Sequence, residues 1–148
     1  MYKRILVPVD GSQTAAAGLR EAIRLVSGSK GATIRLLHVL NPLPALQGME
    51  VAITQQVFDS LEAYGRKILR NAAALVERQG IRAQTVFLER YQGGAADAIV
   101  AEAKKCKADV IIMGTHGRRG LTRVVMGSDA ESVVRMAPVP VLLVKAVR

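Results

Sequence analysis

Residues 109–117 read DVIIMGTHG, an apolar run that changes abruptly into a glycine-rich one. The run from Asp109 to Met113 is the most apolar short segment of the chain, and it predicts a strand buried on both faces. Apolar residues at helical spacing precede it, at Ala95, Ile99, Ala103 and Cys106. A helix that leads into a buried strand and then into a glycine loop is typical of an α/β unit.

The same alternation continues outward in both directions. Short apolar runs predict further strands at 5–9, 33–40, 84–89 and 141–144. Helical patterns lie between them: one capped by Ser12 and stopped near Gly28, one that starts somewhere after Pro44 and ends before Gly80, and one opened by Ser128. The pattern predicts one α/β domain over residues 1–148, an open parallel five-stranded sheet of Rossmann type with helices on both faces.

Ligands of such sheets bind beyond the carboxyl ends of the strands, where the strand order reverses. The segments to inspect are therefore the loops after the first and fourth strands. The loop after the fourth strand runs from Gly114 to Ser128 and contains four glycines, two of them Gly117 and Gly127. Glycines let backbone amides approach an anion with positive φ, and the following helix start adds partial positive charge, so the segment could cradle phosphate.

A purely structural interpretation of this loop stays open. Gly114 could simply end a strand, and Ser128 with Glu131 forms a capping-box pattern that needs no ligand. The loop is neither a Walker A sequence nor the dinucleotide GxGxxG.

Composition narrows the functional classes. Half of the residues are hydrophobic, only 3% are aromatic and Trp is absent, which disfavours a platform that stacks bases or sugars. The net charge of +9 fits either a solvated basic surface or attraction for polyanions, although we do not expect nucleic acid as a partner. The single Cys106 excludes an intrachain disulfide and a multi-cysteine zinc site, and we interpret it as a small buried hydrophobe. No signal peptide or membrane span is evident, so we expect a cytoplasmic protein.

Three motifs in order resemble the universal stress protein family. The spacing Gly114-x2-Gly117-x9-Gly127-Ser128 is similar to its nucleotide-binding signature. Residues 5–12, ILVPVDGS, resemble its first strand and loop, and residues 108–114 resemble its fourth strand. Residues 128–134 and 138–144 resemble its last helix and strand. The resemblance implies the strand order 3-2-1-4-5 and an ATP molecule across the ends of the first and fourth strands.

The resemblance also implies roles for individual residues. Asp10 would meet the ribose, Pro8 and Val9 would line the nucleoside pocket, and Val39 and Met113 would touch adenine. The phosphates would be held by Gly114, Gly117, Gly127 and Ser128, with Thr115 and Asp129 completing the cofactor-binding set. The sequence departs from some ATP-binding relatives at Ala130, where they carry a hydroxyl residue, and this would remove one phosphate contact.

Several residues keep alternative interpretations. Asp10 could form only an Asx-turn with Ser12, or it could help hold Mg²⁺. We interpret His116 as orienting the backbone or exposed, although it could reach phosphate. We interpret His38, which points away from the side of Val39, as structural.

We expect an ATP-binding module of stress response or signalling that acts through nucleotide-dependent conformation or partner contacts. No catalytic residue and no metal-ligating set is evident, although slow ATP hydrolysis remains compatible with the sequence. One alternative is an ATP-using enzyme, but neither an HxGH nor an SGGxDS signature is present. The other is a dimerisation module without nucleotide. We also expect a homodimer through the last strand, residues 139–144.

Overall fold

The computed structural model describes residues 1–41, 54–89, 93–116 and 126–146, and strands and helices alternate throughout. The elements are β1 (Arg4–Pro8), α1 (Gln13–Val26), β2 (Thr33–Leu40), α2 (Gln55–Glu77), β3 (Arg82–Glu89), α3 (Ala95–Lys105), β4 (Val110–Gly114), α4 (Ser128–Met136) and β5 (Val141–Val144). The strands form one parallel sheet in the order β3-β2-β1-β4-β5, which confirms the expected fold class and strand order.

Both faces of the sheet are covered by helices. One core packs α1 and α2 against strand residues such as Ile5 and Leu36, and the other packs α3 and α4 against Leu6 and Leu37. Adjacent strand residues point to opposite faces, so Leu36 and Leu37 enter different cores. Burial on both faces is the reason why the strands read as continuous apolar runs.

Helix starts follow local capping rules with one correction. The Ser12 hydroxyl caps α1 by accepting from the Ala15 amide at 3.1 Å, as expected. The alternative interpretation of Ser128 and Glu131 as a capping box is wrong: Gly127 is the N-cap of α4, Ser128 is the first helical residue, and the cap makes no side-chain hydrogen bond. The first amides of α4 are therefore left without a side-chain acceptor from the cap.

Element ends differ from the prediction by one or two residues. β1 and β4 are shifted by one residue, and β3 begins two residues earlier, at Arg82. Cys106 is the C-cap of α3 rather than a residue within it, and it is half-buried against the core shared by α3 and α4. This partial burial raises the pKa of its thiol.

A carboxylate joins the amino ends of β1 and β4. Asp109 accepts hydrogen bonds from the amides of Lys3 and Arg4, at 3.0 and 2.8 Å, and from the Arg4 guanidinium at 2.8 Å. The Arg4 hydrogen bond is the main reason why the pKa of Asp109 falls to about 2. None of the helices in the described ranges is both long and apolar enough for a bilayer crossing.

Candidate functional site

A cavity of about 600 Å³ lies at the carboxyl ends of β1 and β4, where the strand order reverses. Residues of both loops and of the first turn of α4 line one part of it: Pro8, Val9, Asp10, Gly114, His116, Met126, Gly127, Ser128, Asp129, Ala130 and Glu131. Mostly apolar residues from the sheet, α1 and α3 line the rest: Ala15, Leu37, Val39, Ala95, Ile99 and Met113. The cavity thus has a polar rim beside an apolar wall.

The loop after β1 is held on both sides. The Val9 amide donates to the Leu37 carbonyl at 2.8 Å, and His38 Nδ1 lies 2.8 Å from the Val9 carbonyl oxygen. The Ser12 amide donates to Asp10 Oδ1 at 2.9 Å, so the Asx-turn of the alternative interpretation is present. Asp10 nevertheless lines the cavity, because it follows the carboxyl end of β1.

Gly114 permits the close contact between β4 and α1. A Cβ atom built on Gly114 would lie 2.6 Å from the Thr14 backbone carbon. On the other side of this contact, a Cβ on Gly18 would lie 3.3 Å from the Gly114 nitrogen. Because neither Gly18 nor Gly114 has a side chain, the start of α1 packs directly against the last residue of β4. This contact lies between the loops that follow β1 and β4.

A chain of hydroxyl groups links the start of α1 to the loop after β4. The Thr14 hydroxyl donates to the His116 carbonyl, which can only accept. Because the Thr14 hydroxyl proton is used in that bond, the Thr14 oxygen accepts a hydrogen bond from the Ser12 hydroxyl, 3.2 Å away. The Ser12 oxygen in turn accepts a hydrogen bond from the Ala15 amide. The direction of every hydrogen bond in this chain is therefore fixed, and the His116 backbone is anchored to α1.

Thr115 and His116 have different surroundings. Thr115 is buried and does not line the cavity; its amide donates to the Val144 carbonyl at 3.0 Å, and its carbonyl accepts from the Gly127 amide at 2.8 Å. The Thr115 hydroxyl lies 2.8 Å from His116 Nδ1. His116 is half-buried and lines the cavity, and its Nε2 atom is buried without a hydrogen-bond partner among the residues that the structure describes. Of the two roles expected for His116, the exposed one is therefore wrong.

The charged groups at the cavity are uniform in sign. Asp10, Asp129 and Glu131 line it, and no cationic side chain does so within the described ranges. Two of these carboxylates lie in the first turn of α4, where the partial positive charge of the helix stabilises them. The described residues contain no group of three side chains suited to hold a metal ion unaided.

Most of the predicted site residues meet at this cavity. Pro8, Val9, Asp10, Val39, Met113, Gly114, Gly127, Ser128 and Asp129 line it, whereas Thr115 lies behind it. Gly117 falls outside the described residues. Leu37, Ile99 and Ala95 were missed, because an apolar residue that lines a cavity has the same sequence pattern as one in a core. His38, interpreted as structural, is indeed buried, and it contacts the loop after β1.

Comparison with known proteins extends these observations. A family model described as the universal stress protein family matches residues 1–145. Universal stress protein MJ0531 of Methanocaldococcus jannaschii is 33% identical over 145 residues, covering 98% of this chain and 83% of that protein. The solved structure of MJ0577, from the same organism, superposes with a TM-score of 0.83 at 27% identity and covers 100% of this chain and 99% of its own.

Two further solved structures carry nucleotides and share the fold. A universal stress protein from Archaeoglobus fulgidus in complex with dAMP has a TM-score of 0.68 at 23% identity, covering 97% of this chain and 98% of its own. A universal stress protein in complex with cAMP has a TM-score of 0.69 at 21% identity, covering 99% and 98%.

Proposed function

Since this chain belongs to the universal stress protein family, we propose that it is a stress-response or signalling module that binds ATP in the cavity between β1 and β4. The carrying observation is the pairing, in one cavity, of an apolar wall with a glycine-capped helix start. Binding would change the conformation of the two loops or the contacts they offer to a partner. The protein would thus act by binding, and the bound nucleotide would be the signal.

The apolar wall supports an adenine pocket. Leu37 and Val39 project from β2, Met113 from β4 and Ile99 from α3 toward the same space. A purine ring gains from apolar contact on its faces, while its edge needs only a few polar partners. The backbone of the strand ends could supply them. We propose that Asp10, which lines the same cavity, accepts hydrogen bonds from the ribose hydroxyl groups.

The start of α4 supports phosphate binding. Gly127 caps the helix without a side-chain hydrogen bond, so the amides of the first turn remain available to an anion. The partial positive charge of the helix start favours the same ligand. Ala130 offers no hydroxyl, and the contacts would come from the backbone and from Ser128.

The three carboxylates at the cavity imply that the nucleotide enters with a divalent cation. Asp10, Asp129 and Glu131 would repel the phosphate chain of free ATP. Mg²⁺ commonly binds through one or two carboxylates together with substrate phosphates, and it would turn this repulsion into a bridge. We therefore propose MgATP as the ligand and expect chelation to weaken binding.

The complexes of relatives with dAMP and cAMP support an adenine nucleotide as the ligand class. We propose no dedicated catalysis, because the hydroxyl group that His116 contacts, that of Thr115, is buried and does not line the cavity, so this pair is not offered to a water molecule there. Turnover of ATP at about 1–10³ per second would overturn that part of the proposal.

Release of the bound ligand tests the proposal. Freshly purified protein would be denatured in the presence of Mg²⁺ and its small molecules identified by chromatography and mass. We expect an adenine nucleotide. A guanine nucleotide, a flavin or another class of ligand in stoichiometric amount would contradict the assignment.

A further inference from the structure

His38 lies between two residues that line the cavity but faces the other side of the sheet. Leu37 and Val39 point into the cavity, so alternation along β2 directs His38 toward α2. There it is 6% exposed, and its Nδ1 atom lies 2.8 Å from the carbonyl oxygen of Val9. The side chain thus reaches from behind the sheet to the loop that carries Asp10.

The hydrogen bond to Val9 fixes the protonation of one ring nitrogen. A carbonyl oxygen only accepts, so Nδ1 must carry the proton and donate. The acceptor belongs to the peptide group that joins Val9 to Asp10. A hydrogen bond to that carbonyl fixes the plane of the peptide group, and the plane of the peptide group sets the orientation of the Asp10 backbone.

Phe87 and Gly65 confine the imidazole of His38 on two sides. Its ring stacks on Phe87 of β3, with the ring centroids 5.8 Å apart and an angle of 21° between the ring planes. The Arg66 guanidinium in turn lies 4.5 Å from the centroid of the Phe87 ring. Gly65 of α2 provides the space, because a Cβ there would come within 2.5 Å of His38 Cδ2. Because the ring is confined, its Nδ1–H group stays directed at the Val9 carbonyl.

The same turn of α2 also contacts the next part of the loop. Gly11 has φ +85, and a Cβ at that position would lie 2.8 Å from the Tyr64 hydroxyl and 3.0 Å from Ile68 Cδ1. The loop after β1 therefore rests on α2 at two points, through His38 on one side of Asp10 and at Gly11 on the other.

We propose that His38 is a positioning residue for the nucleotide site: its Nδ1–H group holds the Val9 carbonyl, so that Asp10 is presented to the ligand in the free protein. This inference rests on the proposed function for its effect on affinity. The positioning itself is a property of the free protein and can be measured without nucleotide.

Two substitutions separate the donor from the ring. His38→Phe keeps a flat ring to stack on Phe87 but has no donor. His38→Asn loses the ring, yet its side-chain amide nitrogen, bonded to Cγ as Nδ1 is, can donate to the Val9 carbonyl. If His38 only filled the core, exchange and affinity would follow the stability of the two variants, and the Phe variant would lie nearer to wild type.

The test compares amide hydrogen exchange in the free protein with affinity for MgATP by calorimetry. We expect His38→Phe to speed exchange at the Val9 and Ser12 amides and to weaken MgATP binding on the order of tenfold, the effect of leaving a buried carbonyl unpaired. We expect His38→Asn to keep both values within about twofold of wild type, although its thermal midpoint falls below that of the Phe variant.

The outcomes are distinguishable. If both variants change exchange and affinity in proportion to their loss of stability, the positioning role is overturned. An unchanged affinity in a folded His38→Phe protein also overturns it. Failure of the wild-type protein to bind MgATP would instead overturn the proposed function, while the exchange data would still decide whether His38 holds the loop.

Discussion

Two glycines of the family signature serve different physical needs. Gly114 is required because a Cβ would lie 2.6 Å from the Thr14 backbone. Gly127 adopts φ −62 and ψ 152, a conformation open to any residue, so the positive φ expected for the loop does not apply at this position. Gly127 lines the cavity at the N-cap of α4, so a side chain there would take up space beside the first amides of the helix.

Gly127→Val should therefore weaken ATP binding through occupied space. A branched side chain at the N-cap of α4 would stand between the ligand and the first-turn amides, removing hydrogen bonds to a charged group. We expect a loss of about 10-fold or more in affinity, measured by calorimetry on folded protein. Gly94→Val is the matched control, since Gly94 also caps a helix, a Cβ built on it would meet only the Ala96 nitrogen at 3.9 Å, and it does not line the cavity. Equal losses in the two variants would refute the site.

At the scale of elements, the contact between α1 and β4 brings the two loops together. It depends on Gly18 and Gly114, which face each other across the contact. We expect Gly114→Ala to destabilise the protein by about 1–3 kcal/mol, because the methyl group meets backbone rather than a flexible side chain.

Gly18→Ala is the informative comparison for this contact. Its Cβ would be 3.3 Å from the Gly114 nitrogen, and the gain in helix propensity of up to about 1 kcal/mol offsets the crowding. Urea unfolding should therefore show little change for Gly18→Ala. A Gly114→Ala protein as stable as wild type would show that the contact is looser than described.

The Asp109 carboxylate predicts a pH dependence of stability. Its folded pKa of about 2 lies below the ordinary value of 3.8, so its contribution is complete above about pH 4 and is lost as the pH falls through 2. The pair with Arg4 is partly exposed, so we expect Asp109→Asn to cost roughly 1 kcal/mol at pH 7. The difference between the two proteins in urea unfolding should shrink toward zero near pH 2. A difference that stays constant over this range would exclude the ionised carboxylate as its cause.

Sequence patterns predicted these elements well because their causes are local. The Ser12 cap and the buried run of β4 depend on neighbours in the chain. The failures have non-local causes: Ser128 has the residue type and spacing of a cap, but the Gly127 amide bonds the Thr115 carbonyl and Gly127 takes the cap position. Likewise, only the assembled sheet shows that Leu37 lines a cavity and that His38 contacts Val9.

At the scale of the whole molecule, β5 is an edge strand beside exposed apolar groups. Leu142 is 38% exposed, and Val134 and Met136 of α4 are 47% and 39% exposed. Edge strands offer unpaired backbone groups and are normally covered, so we propose that a second copy covers residues 139–144. A monomeric mass by light scattering at micromolar concentration would refute the dimer.

The structure also selects the substitution that tests the interface. Val141 and Leu143 pack against the core, so an acidic residue there would unfold the domain, whereas Leu142 points outward. Leu142→Asp should yield a folded monomer. Leu75→Asp, at a 47% exposed position on α2, is the control and should keep the wild-type mass.

For the molecule as a whole, we propose that the cavity between β1 and β4 binds an adenine nucleotide with its cation. The most direct measurement is titration calorimetry of nucleotide-stripped protein with ATP, in Mg²⁺ and again after chelation, with GTP as the competitor. We expect one site per chain, weaker binding without Mg²⁺ and preference for ATP over GTP. Absence of binding at millimolar MgATP by folded protein, or equal affinity for GTP, would contradict it.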